Sequence, residues 1–169
     1  MKNTLYIIII LITSCAGDVE KNQPINANEL QEKLLEANIN ATALESKQIE
    51  SYVKSKNLNA IKTPTGLRYE IYEDQEGVTI TNNQRAVVKY TVNLLNGTEC
   101  YATKDKAEEF IVGKDNVESG LHEGITYMSV GDKAIIIIPS HLAHGLAGDF
   151  KKIPIRSTIV YDIELVAIK

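Results

Sequence analysis

Val-Glu-Ser-Gly-Leu-His-Glu-Gly (117–124), Met-Ser-Val-Gly-Asp-Lys-Ala (128–134), four isoleucines (135–138) and Pro-Ser-His-Leu-Ala-His-Gly (139–145) make up most of one stretch, which closes with Gly148 and Lys-Ile-Pro (152–154). It reads as a short helix, a glycine turn, a buried strand and a long loop held by proline and glycine at both ends. β-Branched side chains fit a pleated surface, so Ile135 to Ile138 suit a strand covered on one face and partly on the other. The loop is about as long as ordered connections become, and loops of that length usually carry function.

Working outward, Thr-Pro-Thr-Gly (63–66) interrupts the preceding pattern and opens a region of strands. Leu67, Tyr69 and Ile71 alternate with Arg68, Glu70 and Tyr72, which predicts a half-buried strand turned by Glu76-Gly77. Val88, Tyr90, Val92 and Leu94 form one face of a longer strand. Asn96-Gly97 then supplies a hairpin signal, because both residues tolerate positive φ. Phe110-Ile-Val makes a short strand before Gly113, and Thr158 to Ile168 the last, with Ile159, Tyr161, Ile163 and Leu165 inward. The pattern predicts an α+β fold: an antiparallel sheet with one short helix against it, preceded by a helical segment.

Taken in order, Gly-x-x-x-Gly (120–124), Met-x-x-Gly-Asp-Lys-Ala (128–134), Ile-Pro-Ser-x-x-Ala-x-Gly (138–145) and Ile-Pro (153–154) resemble the FKBP-type peptidyl-prolyl isomerases. The resemblance covers roughly residues 66–169 and implies a curved antiparallel sheet wrapped around the helix near Ser119–Gly124. It also implies an apolar cup lined by Tyr90, Phe110, Val117, Leu121, Ile153 and Tyr161, with Leu121 as its floor. The backbone N–H of Glu118 is implied to hold a substrate carbonyl, and His144 stands where the family usually has tyrosine. Four further positions depart from the family's habit. Cys100-Tyr101 replaces a Phe-Asp pair, Leu121 a tryptophan, and Glu118 an aliphatic side chain.

The implied reaction needs no nucleophile, metal or cofactor. An X–Pro bond is held planar by resonance, and a pocket that favours the twisted imide over the planar ground state accelerates its isomerisation. Two histidines, His141 and His144, are three apart, but in a proline-glycine loop rather than on a helix. With no cysteine or carboxylate at ligand spacing, a metal site is not expected there.

At the start of the chain, Lys2, an apolar run from Leu5 to Ile12, and Ile-Thr-Ser-Cys (12–15) describe a secretory signal peptide ending in a sequence like a bacterial lipobox. The run is too short to span a bilayer, which takes roughly 20 apolar residues. Cleavage after Ser14 and acylation of Cys15 are the expectation, with residues 15–27 as a lipidated tether. The alternative is an ordinary signal peptide with an incidental cysteine. Two helical segments are expected at 28–60. The first is capped by Asn28 and carries Leu30, Leu34 and Ala37; the second, roughly Thr42 to Lys56, carries Leu44, Ile49, Tyr52 and Val53. Neither is long enough to stand alone, so both either pack in cis or form a homodimer through residues 28–56.

Composition excludes some classes. A formal charge of −4, with no basic cluster, argues against nucleic acid as a partner. The two cysteines, Cys15 and Cys100, do not suggest a disulfide, since the first is assigned to lipid. Three readings follow. The chain is an exported, membrane-anchored prolyl isomerase acting on proline-containing or unfolded segments in a Gram-negative envelope, in the periplasm or at the outer membrane. Alternatively it is a binding module or chaperone of the same fold with weak or no turnover, or an envelope-assembly lipoprotein.

Overall fold

The computed structural model describes residues 26–104 and 106–169. The leader expected at 1–14, Cys15 and most of the tether lie outside those residues. The chain divides between Glu36 and Ala37, and the unit from Ala37 to Lys169 carries the sheet and the site.

One helix, α1 (Ala27–Ser55), takes the place of the two expected segments. Asn38-Ile-Asn-Ala-Thr42 contains weak helix formers but no glycine or proline, so nothing there removes a backbone hydrogen bond. The Thr42 hydroxyl donates back to the Asn38 carbonyl at 2.9 Å and follows the helix instead of breaking it. The N-terminal side-chain contact belongs to Asn26, not Asn28: its Oδ1 accepts the Asn28 N–H at 3.1 Å.

Seven strands follow: β1 (Ile61–Lys62), β2 (Arg68–Glu73), β3 (Arg85–Leu94), β4 (Glu99–Ala102), β5 (Glu108–Ile111), β6 (Lys133–Ile138) and β7 (Ile159–Ile168). A short helix, α2 (Ser119–Ile125), lies between β5 and β6. The sheet runs β1-β2-β6-β7-β3-β4 and every pairing is antiparallel. β3 is paired twice along one edge, with β5 over Arg85–Val88 and with β4 over Thr91–Asn93. Register shifts leave one extra residue on β2 (Tyr72), on β4 (Cys100) and on β7 (Val166), and such bulges bend a strand and increase its twist.

The pleat sends alternate residues of β6 and β7 into two clusters. Ile136, Ile138, Ile159, Tyr161, Ile163 and Leu165 join Leu121 and Ile125 of α2 in the main core. On the opposite face Ile137 and Val160 meet Ile49 of α1, with Tyr52 and Val53 alongside. Ile136, Ile137 and Ile138 are buried and Ile135 is half-buried, so the strand is covered on one face and partly on the other, as the run suggested. Covering the second face also buries Arg68, which alternation assigned to solvent and which is only 4 % exposed. Its guanidinium donates to the Ser46 hydroxyl and to the Gly66 carbonyl, each at 2.9 Å, and lies 3.5 Å from the Glu50 carboxylate. Glu45 makes a further tie. Its carboxylate accepts the Ser140 N–H (2.7 Å) and the hydroxyls of Ser140 (3.0 Å) and Thr158 (2.6 Å).

Candidate active site

Two glycines let α2 sit directly on β6. A Cβ at Gly120 would lie 2.3 Å from Ile138 Cγ2, and one at Gly124 would lie 2.7 Å from Ile136 Cγ2. No side chain fits at either distance, so the Gly-x-x-x-Gly spacing is a contact requirement. That seating places Leu121, buried, and the half-buried Val117 beneath a cavity of about 460 Å³.

Seven of the eight residues expected from the sequence line this cavity: Tyr90, Phe110, Val117, Glu118, Leu121, His144 and Tyr161. β3 and β7 bring Tyr90 and Tyr161 edge to face, with ring centroids 5.3 Å apart, and β5 brings Phe110. Ile153 is the exception. It is buried in the core and does not line the cavity; its N–H donates to Asp149 Oδ1 at 2.8 Å and its carbonyl accepts the Asp149 N–H at 3.1 Å. A wider groove of about 890 Å³, lined by Leu44, Tyr52, Leu95 and Pro154, belongs to the opposite face of the sheet, under α1.

Three phenols at the cavity each donate to a carboxylate that also lines it. Tyr90 donates to Glu108 at 2.8 Å, Tyr161 to Glu118 at 3.1 Å, and Tyr101 to Asp149. Burial first, and then the adjacent carboxylates, push the Tyr90 and Tyr161 hydroxyls far above the usual phenol range. For Tyr101 the hydrogen bond to Asp149 is the main cause of the rise. Burial opposes ionisation of Asp149, but donation from Tyr101 and from the backbone N–H groups of Lys151, Ile153 and Lys152 outweighs it. Its carboxyl is lowered to about 2. Those backbone bonds also shape the loop between them, where Phe150 takes a φ of 59° and is 89 % exposed.

Glu118 does more than the sequence suggested. Its Oε1 lies 3.0 Å from His144 Nε2 while Oε2 accepts from Tyr161, so one carboxylate joins the loop to the last strand. Its own backbone N–H donates to no group among the described residues. His122 and His141 are engaged elsewhere. Gly113 donates its N–H to His122 Nδ1 at 2.9 Å, leaving Nε2–H to donate to the Asp115 carbonyl at 2.9 Å. His141 Nε2 is 3.1 Å from the Thr65 carbonyl.

Tyr101, Glu108, Asp149 and Lys151 line the cavity without having been assigned to it from sequence. Tyr101 was marked only as a departure from the family's habit. Asp149 follows a glycine inside the long loop, where an Asx-type turn is an ordinary expectation, and that was the one available signal.

Comparison with known proteins agrees with this geometry. The family described as FKBP-type peptidyl-prolyl cis-trans isomerase matches residues 76–166. The FKBP-type peptidyl-prolyl cis-trans isomerase FkpA of Escherichia coli (strain K12) is 32% identical over 120 residues, which cover 71% of this chain and 43% of that protein. The chain thus spans less than half the length of that relative. FK506-binding protein 2 of Dictyostelium discoideum is 33% identical over 109 residues, covering 63% of this chain and 80% of its own length. The crystal structure of FkpA from Escherichia coli superposes with a TM-score of 0.66 at 28% identity, covering 88% of this chain and 74% of that one. The matched length, the sheet seated on its glycine-spaced helix and the aromatic cup agree, and by them the chain belongs to the FKBP-type peptidyl-prolyl cis-trans isomerase family.

Proposed function

We propose that the chain is a peptidyl-prolyl cis-trans isomerase that assists the folding of exported proteins by enclosing the twisted X–Pro bond. Rotation about a peptide bond faces a barrier of roughly 18–20 kcal/mol. The twisted imide has lost resonance and is less polar than the planar one, so an apolar, water-poor cup favours it. In this reading Leu121 and Val117 form the floor and Tyr90, Phe110 and Tyr161 the walls. The Glu118 N–H holds the carbonyl next to the imide, and His144 with the Glu118 carboxylate closes the rim. Ile153 acts from behind, through the loop it holds. One observation carries the proposal: an undonated Glu118 N–H at the wall of a cavity whose phenols are already committed to carboxylates. A backbone donor at that wall positions substrate without titrating. Magnetisation exchange on a proline peptide, with and without the chain, tests it: cis–trans exchange should accelerate in proportion to protein concentration.

A second reading, a binding module with little turnover, is favoured by the exposed apolar side chains of the same loop, Leu146, Phe150 and Ile155. It expects retention of unfolded segments without acceleration, and the same assay separates the two.

The setting is part of the proposal. The basic, apolar and small-residue order of 1–14, with Cys15 after it, supports export and a lipid anchor in a Gram-negative envelope. Exposed Leu30, Leu34, Leu35 and Ile39 on α1 support pairing with a second copy through residues 28–56.

A further inference from the structure

Resting on the isomerase reading, we propose that the cup selects substrates with a lysine or arginine immediately before the proline. The selection comes from the carboxylates that line it. Glu108, Glu118 and Asp149 each accept a phenol hydrogen bond, which fixes the carboxylate in place and leaves its charge intact. Among the described residues none of the three forms an ion pair with lysine or arginine. Glu109, a fourth carboxylate at the cavity, is matched by Arg85 and Lys169 and contributes little net charge.

Little opposes this charge. Lys151 is the one lysine or arginine lining the cavity. Lys152 lies 5.2 Å over the Tyr101 ring and donates to the Cys100 carbonyl at 2.7 Å. His144 Nε2 faces Glu118, so an imidazolium there cancels one carboxylate and leaves Glu108 and Asp149. Like charges in a concave, partly apolar site focus the field on whatever enters.

Stereochemistry places the cation. A proline ring seated on Leu121 and Val117 leaves the preceding residue one Cα step away, about 3.8 Å, beside the walls. A lysine or arginine stem can lie along Tyr90 and Tyr161 while its head reaches the carboxylates, and an aromatic face adds attraction for the cation. A glutamate at the same position meets repulsion from these carboxylates, with Lys151 as the one lysine or arginine at the cavity to offset it. The carboxylates do not create the site, which already has its apolar floor and its backbone donor. They decide what it accepts.

The test uses the full chain and three peptides identical except for Lys, Leu or Glu before the proline, followed by magnetisation exchange. At low ionic strength kcat/KM should run Lys above Leu above Glu, with the Lys/Glu ratio at least roughly tenfold. At roughly 1 M NaCl, where the screening length is about 3 Å, the ratio should shrink toward unity. Glu108→Gln and Asp149→Asn should each lower it. Equal turnover of the three peptides, a preference for Glu, or a Lys preference untouched by salt and by both substitutions would overturn the proposal. Failure to turn over even the Leu peptide would overturn the isomerase reading instead. The charge preference is then decided by fluorescence anisotropy of the same peptides: the order Lys, Leu, Glu in affinity sustains it, and equal or absent binding overturns it.

Discussion

Leu121 is buried and stands at the bottom of the cavity where a larger aromatic floor is the family's habit. Leu121→Ala removes that floor and leaves a void in the main core. It should cost about 2–5 kcal/mol of stability. In conditions where the variant stays folded, kcat/KM should fall roughly 10- to 100-fold, equivalent to about 1.4–2.7 kcal/mol of transition-state binding. A floor that only fills space would lower the denaturation midpoint and leave the folded protein's rate intact. Asp149 gives a prediction in pH. Its carboxyl is lowered to about 2 in the fold, against an ordinary value of about 3.9 in the unfolded chain. Between those values the unfolded state binds more protons, so the Asp149 contribution is complete above the ordinary value and is lost as pH falls through about 2. The wild type should therefore exceed Asp149→Ala in urea midpoint at about pH 6, and the gap should close near pH 2. At this scale the sequence revealed most of the wall. Tyr90 and Tyr161 followed from strand alternation together with the family motifs. The pairing of Tyr101 with Asp149 spans 48 positions and leaves no local trace. The Glu118 carboxylate looked incidental because its partners, His144 and Tyr161, belong to other elements.

Helix α2 and strand β6 meet through Gly120 and Gly124, and α1 closes the other side of the same strand through Ile49. Gly124→Ala forces a methyl into Ile136, and overpacking of that kind costs about 1–3 kcal/mol. Ile49→Ala opens the second core and should cost about 2–5 kcal/mol. If equilibrium urea denaturation showed no loss for Ile49→Ala, the second half of α1 would be an ornament on the sheet. The hairpin at Asn96-Gly97 and the strands on either side were legible because alternation and turn chemistry are local signals. The continuity of α1 was not, since weak helix formers at 38–42 mimic a break when no breaker is present. Burial of Arg68 was hidden for a related reason: alternation assigns faces, and which element covers a face is a tertiary fact.

For the whole molecule, two questions stand apart: where it resides and what it accelerates. Among the described residues no helix is long and apolar enough to cross a membrane. The proposed anchor is a separate matter and rests on acylation of Cys15. Cys15→Ser should move the protein from the membrane to the soluble fraction or leave the leader uncleaved. A processed, membrane-bound Cys15→Ser protein would remove the anchor from the account. The central claim is that an apolar cup with one backbone donor turns over prolyl bonds, and magnetisation exchange on the Leu-Pro peptide measures this most directly. The account predicts exchange that accelerates linearly with full chain and drops at least roughly tenfold in folded Leu121→Ala. Exchange no faster than in buffer, or an acceleration that Leu121→Ala leaves unchanged, would contradict it.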